Sequence, residues 1–237
     1  MATRLQSTSL PLLPQALIGL GPEELLLNET FLSIQGESSY AGRPCFFLRL
    51  TGCHLRCTWC DSEYSFHEGR VATISECVER AVASGVPLVE VTGGEPLLQR
   101  AAQPLISRLL DRGLTVLVET SGGVRITGLD PRAVAIVDVK CPESGMADRN
   151  VAGIECQLRP RDELKLVVAS RSDYEWAKGW LFKRQTVLGV ERIVHLSPAF
   201  GAVEPRDLAA WILEDHLPVR LGLQLHKLIW NPTARGV

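Results

Sequence analysis

Short apolar runs alternate with helix-like stretches along most of the chain, which is the pattern of a parallel β-sheet with helical connections. The apolar runs predict strands at residues 30–34, 46–50, 88–91, 115–118, 134–137, 164–168, 193–196 and 221–225. The stretches between them predict helices at residues 74–84, 98–112, 172–182 and 205–216. The first helix follows Thr73, with Glu76 as a capping-box partner. Pro104 interrupts the second, which is predicted to begin either at residue 98 or at the proline.

Polar signatures directly follow six of these apolar runs, and their placement predicts one common site. They are TGC after 46–50, TGGEP after 88–91, ETSGG after 115–118, DVKCP after 134–137, LSPAF after 193–195 and HK after 221–225. In a β/α barrel the catalytic groups lie on the loops that follow the strand C-termini. The pattern therefore predicts an α/β fold with a barrel or partial barrel in a single domain. A doubly wound open sheet is the alternative.

Composition indicates an ordinary folded protein and gives no sign of a charged macromolecular partner. The 237 residues are 46% hydrophobic and 22% charged, with a formal net charge of −2. Basic residues are scattered, so neither nucleic acid nor a membrane surface is expected as a partner. Three prolines interrupt the apolar stretch 10–27 before it reaches the ~20 residues that span a bilayer. Residues 1–27 are interpreted as an N-terminal extension and residues 28–237 as the core domain.

Seven cysteines, three of them within eight residues, predict a metal site in a reducing compartment such as the cytoplasm. Cys53, Cys57 and Cys60 supply three thiolates from one loop. Three thiolates can hold three irons of a [4Fe–4S] cluster and leave the fourth iron open to another ligand. A structural zinc site is the alternative, but such sites usually present two Cys/His pairs, and the sequence has no second C-x-x-C.

This C-x-x-x-C-x-x-C motif, with Trp59 before its last cysteine, resembles the signature of the radical S-adenosylmethionine superfamily. In that superfamily the open iron chelates the methionyl amino and carboxylate groups, and reduction of the cofactor yields a 5′-deoxyadenosyl radical. The segment 92–96, TGGEP, is similar to the superfamily's GGE segment, which holds the methionyl amino group. Taken alone, that segment would fit an ordinary strand–turn–helix connection.

A longer stretch narrows the resemblance to one family. Residues 29–61 read ETFLSIQGESSYAGRPCFFLRLTGCHLRCTWCD, with DVKCPESG at 138–145 and QLHKLIW at 224–230. Together they resemble the 7-carboxy-7-deazaguanine synthases of the queuosine and deazapurine pathway. The resemblance implies a modified (β6/α3) barrel, a homodimer, and flavodoxin or ferredoxin as electron donor. It also implies Mg²⁺-dependent conversion of 6-carboxy-5,6,7,8-tetrahydropterin to 7-carboxy-7-deazaguanine and ammonia. A hydrogen would be removed from C6 and returned, so S-adenosylmethionine would be recycled.

The same resemblance implies roles for individual residues. It places S-adenosylmethionine contacts at Trp59, Cys60, Asp61, Gly94, Glu95, Asp138, Val139, Lys140, Ser197, Pro198, Ala199 and Phe200. It places substrate contacts at Ile34, Gln35, Gly36, Glu37, Arg49, Thr92, His226 and Pro232. Of these, Glu37 is expected at the guanidine-like edge of the pterin and Arg49 at its carboxylate. Ser62 matches a family threonine that binds Mg²⁺, for which a hydroxyl is a suitable hard donor.

The chain departs from the family at its C-terminus. In some relatives the chain ends at the proline that matches Pro232, and its terminal carboxylate contacts the substrate. Here residues 233–237 continue, so either the tail folds back to supply another group or this contact is absent. The remaining cysteines match no cluster position and are predicted to be packing thiols; they are Cys45, Cys77, Cys141 and Cys156.

Two other functions remain open at this point. A glycyl-radical activase shares the cysteine spacing in a similarly short chain, but it would act on a protein partner and consume S-adenosylmethionine. The SIQGE and QLHK segments argue against that assignment. A non-catalytic metal-binding or electron-carrying module would need a fully ligated cluster and no cofactor site.

Overall fold

The structure, a computed structural model, describes residues 14–189 and 191–237. The strands within these residues are β1 (Glu24–Ile34), β2 (Pro44–Leu50), β3 (Arg70–Thr73), β4 (Leu88–Gly93), β5 (Thr115–Thr120), β6 (Val134–Asp138), β7 (Glu163–Val168), β8 (Val194–Pro198) and β9 (Arg220–Leu221). The helices are α1 (Ile74–Ala83), α2 (Ala102–Asp111), α3 (Arg171–Phe182), α4 (Gln185–Leu188), α5 (Pro205–Glu214) and α6 (Leu225–Ile229). None of these helices combines the length and the apolar character that crossing a membrane requires.

The strands form one sheet in the order β3-β1-β2-β4-β5-β6-β7-β8-β9. Strand β1 pairs antiparallel with β2 and β3, whereas the pairs from β2 through β9 are all parallel. Because the parallel strands point the same way, their carboxyl ends meet at one edge. Loops at that edge can therefore contribute to a single site.

Helices cover the outer face of this sheet, and its inner face surrounds the interior of a partial barrel. The four longer helices, α1, α2, α3 and α5, all contribute to one apolar core with outward residues such as Val89 and Val91 of β4. Alternate residues point inward, where Leu88, Leu117 and Ile136 form a separate smaller cluster. A doubly wound sheet would carry helices on both faces. The predicted α/β fold, a partial barrel in one domain, is confirmed.

Two predicted boundaries of the sheet differ from the structure. The strand predicted at 221–225 is confined to Arg220–Leu221, and Leu225 begins α6 instead. The reason is that the Leu225 N–H donates to Gly36 O (3.1 Å) in the loop after β1, and so does not continue the β8 ladder. Strand β1 begins at Glu24, so residues 24–27, assigned from sequence to the extension, lie in the sheet. The division at residue 27 is otherwise a prediction, and residues 1–13 lie outside the described part of the chain.

Helix starts follow local capping chemistry. The Thr73 hydroxyl accepts from the Glu76 N–H (3.1 Å), so the predicted N-cap is confirmed. The Glu76 carboxylate pairs with Arg70 and Arg80, and it does not complete a capping box. Helix α2 begins at Ala102, at neither predicted start, and Pro104 is accommodated in its first turn because N–H groups there have no partner within the helix.

Candidate active site

A cavity of about 760 Å³ lies at the carboxyl ends of the parallel strands. Its wall combines the ends of β2 and β4 to β8 with the cysteine loop, the segment after β1 and the C-terminal segment. Every site residue predicted from the sequence lines this cavity except Glu95 and Val139. The structure therefore brings together side chains that are separated by up to two hundred positions in the sequence.

The cysteine loop supplies three thiols to one wall of the cavity. Cys53 is buried, and Cys57 and Cys60 are partly buried; all three pack with Leu55 and Phe66. Burial raises the pKa of the Cys53 thiol to about 11, so its thiolate needs a nearby positive charge such as a bound metal. Three soft donors in an apolar setting fit an iron–sulfur cluster. Across the described ranges, no three Cys, His, Asp or Glu side chains converge as they would around a single ion.

The TGGEP segment packs against the cysteine loop through its backbone. The Gly94 N–H donates to Leu50 O (3.2 Å), and the Glu95 N–H donates to Gly52 O (2.9 Å). A Cβ on Gly94 would lie 2.5 Å from Gly52 O, and Gly93 has a φ of 147°. Glycine is therefore required at both positions. These two glycines allow the backbone of the TGGEP segment to lie directly against the loop that carries the cysteines.

Glu95 and Val139 lie behind the cavity wall. The Glu95 carboxylate is buried and accepts from the Leu97 N–H (3.0 Å), the Thr120 hydroxyl (2.9 Å) and the Ser121 N–H (2.8 Å). It therefore braces Thr120 and Ser121, which do line the cavity. The Val139 side chain belongs to the core between sheet and helices. Direct contact of either residue with a cofactor stays a prediction.

Asp138 and Lys140, two of the predicted cofactor contacts, form an ion pair in the wall. The Lys140 ammonium donates to Asp138 Oδ2 (2.6 Å). The other carboxylate oxygen, Oδ1, is buried and accepts from no group in the described residues. A buried acceptor without a donor is costly, so this oxygen is suited to an N–H or O–H of a bound ligand. This observation fits a cofactor that carries an ammonium or hydroxyl groups.

Arg49 projects from β2 into the same cavity. Its Nε donates to Glu29 Oε1 (2.8 Å), which also accepts from the Tyr64 hydroxyl (2.9 Å). The guanidinium lies over the Phe31 ring at 5.7 Å from its centroid. Within residues 14–189 and 191–237, nothing accepts from its two terminal nitrogens. Arg49 thus keeps the two donors with which an arginine binds a carboxylate in bidentate geometry.

Buried ion pairs that the sequence had not indicated occupy the cavity floor. The Lys165 ammonium bonds to Glu119 and to Glu37 Oε2 (2.7 Å) and lies 4.0 Å from Asp138 Oδ2. Gln224 Nε2 donates to the other oxygen of Glu37 (2.7 Å). Burial alone would raise the pKa of Glu37, but Lys165 and Gln224 lower it to about 2. Glu37 is therefore a fixed, ionised acceptor at neutral pH.

Comparison with known proteins places these features in one family. The Radical SAM superfamily matches residues 48–135. A 7-carboxy-7-deazaguanine synthase from Chlorobaculum tepidum is 49% identical over 216 residues, which cover 90% of this chain and 97% of that protein. One from Koribacter versatilis is 45% identical, with 89% and 99% covered. The chain belongs to the 7-carboxy-7-deazaguanine synthase family.

Membership of the 7-carboxy-7-deazaguanine synthase family makes the chain a radical S-adenosylmethionine enzyme of the lyase class. It carries an iron–sulfur cluster and uses S-adenosylmethionine, and the two other functions left open by the sequence are excluded. The crystal structure of QueE from Escherichia coli has the same fold, with a TM-score of 0.71 at 23% identity. That alignment covers 85% of this chain and 94% of the other.

In this member of the synthase family the C-terminal tail folds back onto the cavity. Pro232 and residues 233–237 all line it. The Arg235 guanidinium lies 3.8 Å from the centroid of the Tyr64 ring and pairs with Glu68 (3.0 Å). The fold-back that the first of the two alternatives requires is therefore observed, and the supply of a substrate-binding group by the tail stays a prediction.

His226 of α6 packs on the predicted substrate segment of the synthase. A Cβ on Gly36 would lie 2.7 Å from His226 Nδ1, so glycine leaves room for the imidazole. Lys227, the next residue of α6, donates to Asp61 (2.7 Å), and the Ser62 hydroxyl lies 3.9 Å from Cys60 Sγ. Asp61 and Ser62 are thus placed between the cysteine loop and α6.

Glu90 is an uncharged carboxyl group in the floor of the synthase cavity. Gln35 Oε1 accepts from the Glu37 and Ser38 N–H groups, so its amide nitrogen faces Glu90 and donates to it (3.1 Å). Burial raises the pKa of Glu90 to about 8, and the neighbouring Glu119 charge adds to the effect. Glu90 therefore holds a proton at neutral pH, whereas Glu37 does not.

Replacing Glu90 with glutamine should reduce the loss of stability as pH rises from about 5 to 8. The unfolded carboxyl ionises near its ordinary value while the folded one stays protonated to about pH 8, so folding stability falls across that interval. The loss reaches at most about 1.4 kcal/mol per pH unit. Glutamine keeps an acceptor for Gln35 and a donor for Glu119. Urea unfolding at several pH values measures the difference, with exposed Glu79→Gln as control. Parallel pH profiles for Glu90→Gln and wild type would contradict it.

Proposed function

We propose that this enzyme converts 6-carboxy-5,6,7,8-tetrahydropterin into 7-carboxy-7-deazaguanine and ammonia. The observation that carries the proposal is a cavity with three thiols on one wall, the ionised Glu37 on its floor and the free donors of Arg49 beside it. The pterin offers a guanidine-like edge to a carboxylate and a carboxylate to an arginine. These are the two complementary groups that the cavity provides.

The residues of the chain bind, orient and exclude water. Glu37 accepts from the guanidine-like edge, and Arg49 holds the substrate carboxylate, so the ring is fixed at both ends. Thr92, near the end of β4, is the neighbour of Arg49 in the β2–β4 pair and lines the same cavity. The Asp138–Lys140 pair and residues 197–200 form the cofactor side. The cluster and S-adenosylmethionine, when bound on that side, would supply a carbon radical able to take a hydrogen atom from the substrate.

Substrate and product differ in composition by one ammonia, so the overall conversion is redox-neutral. S-adenosylmethionine would therefore serve as a recycled cofactor. We propose that Ser62 binds Mg²⁺ through its hydroxyl, a hard donor suited to that ion. Its position beside Asp61 and Cys60, in the wall that faces the cavity, supports this role.

We also propose the setting in which the enzyme works. A cluster held by three cysteines requires a reducing compartment, which supports a cytoplasmic location and a flavodoxin or ferredoxin as electron donor. The product would enter queuosine or another deazapurine pathway. The working form would be a homodimer, with neither nucleic acid nor membrane as partner.

Anaerobic turnover tests the proposed function. The reconstituted enzyme is mixed with S-adenosylmethionine, a strong reductant, MgCl₂ and 6-carboxytetrahydropterin, and the products are followed by mass spectrometry. We expect 7-carboxy-7-deazaguanine in large excess over 5′-deoxyadenosine, and slower turnover when Mg²⁺ is chelated. Stoichiometric 5′-deoxyadenosine with unchanged pterin would refute the proposal.

Replacing Arg49 with alanine should weaken pterin binding by roughly 2–5 kcal/mol, because the substrate carboxylate loses its charge partner in a buried site. S-adenosylmethionine cleavage without substrate should remain measurable. Titration of the pterin into the anaerobic enzyme measures the binding. Arg70→Ala is the matched control, since Arg70 is exposed and pairs with Glu76 away from the cavity. Normal binding by Arg49→Ala would show that the carboxylate binds elsewhere.

A further inference from the structure

Three side chains from three separate elements meet beneath the cavity. Glu163 of β7 accepts from the Ser39 N–H (3.0 Å) and from the Ser39 hydroxyl, one bond to each carboxylate oxygen. Glu163 Oε2 also lies 2.7 Å from His195 Nε2 of β8. Glu163 is 1% exposed and His195 is 3% exposed. The described residues that form the cavity wall include none of the three, so this group lies outside the site itself.

Ser39 belongs to the loop between β1 and β2, which carries the substrate segment. Ser39 lies at the protein surface, where a loop residue is mobile unless something holds it. The Glu163 carboxylate accepts from both the N–H and the hydroxyl of Ser39. His195 in turn fixes the Glu163 carboxylate. A buried carboxylate is costly to desolvate, so placing one here indicates a position that needs charge-assisted bonds.

The loop transmits this anchoring to the substrate-binding groups. Gln35 N donates to Arg43 O (2.9 Å), and Gly42 N donates to Gln35 O (2.8 Å), which closes the loop at its base. Gln35 Oε1 accepts from the Glu37 and Ser38 N–H groups, so residues 35–38 form one hydrogen-bonded turn. Ser39 follows this turn directly. Fixing Ser39 therefore fixes the direction in which the Glu37 carboxylate points.

Apart from the bond from Gln35 to Glu90, two further side chains reach this turn in a different way. Lys165 and Gln224 both end on the Glu37 carboxylate, which is the group proposed to bind the ligand. A ligand that bonds to Glu37 competes with these two donors for the same lone pairs. The bonds from Ser39 to Glu163 leave that carboxylate free. They can hold the loop in the same place before and after a ligand binds.

We propose that Ser39, Glu163 and His195 form a clasp that positions residues 35–38 for recognition of the pterin. The three are positioning residues, because they act through Gln35 and Glu37 and do not line the cavity. The inference rests on the proposed function in one respect, the identity of the ligand of Glu37. The clasp itself is a property of the ligand-free protein and can be measured there.

Two readouts test the clasp. In Glu163→Ala, KM for 6-carboxytetrahydropterin should rise about tenfold, the effect of losing roughly one charge-assisted hydrogen bond. The rate of 5′-deoxyadenosine formation without pterin should stay at the wild-type value. Amide hydrogen exchange of residues 35–43 in the substrate-free protein should accelerate. Ser39→Ala, a surface change that does not endanger folding, should shift KM and exchange in the same direction by less, and Ser39→Thr should restore both.

Ser33→Ala is the matched control, because the Ser33 hydroxyl on β1 is buried and has no partner among the described residues. If Ser39→Ala and Glu163→Ala have the same KM and the same amide hydrogen exchange as Ser33→Ala, the proposed clasp is wrong. If kcat and the rate of substrate-free cleavage fell by the same factor as KM rose, the three residues would have a purely structural role. That result would also overturn the proposal. If the wild-type protein fails to turn over the pterin, the proposed function fails, while exchange of residues 35–43 still decides the clasp.

Discussion

Replacing Cys57 with alanine should abolish cluster assembly and turnover together. Cys57 is the middle of three thiols that line one wall of the cavity, and each is required to hold a different iron. With two thiols left, a four-iron cluster has two irons without a protein ligand. We expect iron and sulfide contents after anaerobic reconstitution to fall to background, with no detectable deazaguanine product.

Cys156→Ala is the control for this prediction. Cys156 is exposed, lies in the 3₁₀ turn Ile154–Gln157 and does not line the cavity. It should reconstitute and turn over as the wild-type enzyme does. If Cys57→Ala retained a full cluster and activity, the assignment of the three thiols would be wrong. If Cys156→Ala lost the cluster, a fourth thiol would be involved.

Replacing Lys165 with methionine should destabilise the fold and eliminate turnover of the pterin. The Lys165 ammonium is buried between Glu37 and Glu119, and its removal leaves two partly buried carboxylates without their charge partner. Breaking a buried ion pair in this way costs about 3–5 kcal/mol. Without Lys165, burial raises the pKa of Glu37, so the carboxylate that should accept from the substrate takes up a proton.

Urea unfolding of the metal-free protein measures this change, and Lys178→Met provides the comparison. Lys178 also pairs with two carboxylates, Glu175 and Asp215, but its side chain is 32% exposed on the outside of α3. Such a surface pair contributes about 1 kcal/mol or less. Equal losses in the two variants would mean that Lys165 is not buried as described. Full turnover by Lys165→Met would remove Glu37 from substrate binding.

The residues whose placement at the cavity sequence predicted well are those that end strands. Arg49, Thr92, Asp138 and Ser197 stand at or near the carboxyl ends of β2, β4, β6 and β8. Their convergence follows from one assumption, that the strands are parallel and neighbouring. The structure confirms that assumption, and it places these residues around one cavity. The tail and α6 were harder to place, because a backbone bond from Leu225 to Gly36 outweighs the apolar pattern of residues 221–225.

Glu90, Glu119 and Lys165 escaped sequence reasoning for a physical reason. Each is a single charged residue within or at the end of an apolar run, in LVEVT, LVET and LKLVV, at a position that alternation turns inward. That interruption is a usable signal of a polar barrel interior. Their pairing is not readable, because Lys165 meets Glu119 across β6, and that neighbour relation depends on strand order. The carboxylates of Glu37, Glu119 and Asp138 all lie within 4.0 Å of the Lys165 ammonium, and only the folded structure shows that they meet there.

The folded-back tail bears on how the enzyme should be produced. Since residues 233–237 line the cavity, any residues fused after Val237 would begin at the cavity. Histidines placed there would also bring imidazole ligands to the cavity that the three thiols line. Preparations that carry a purification handle after Val237 should therefore be compared with untagged protein before weak activity is interpreted.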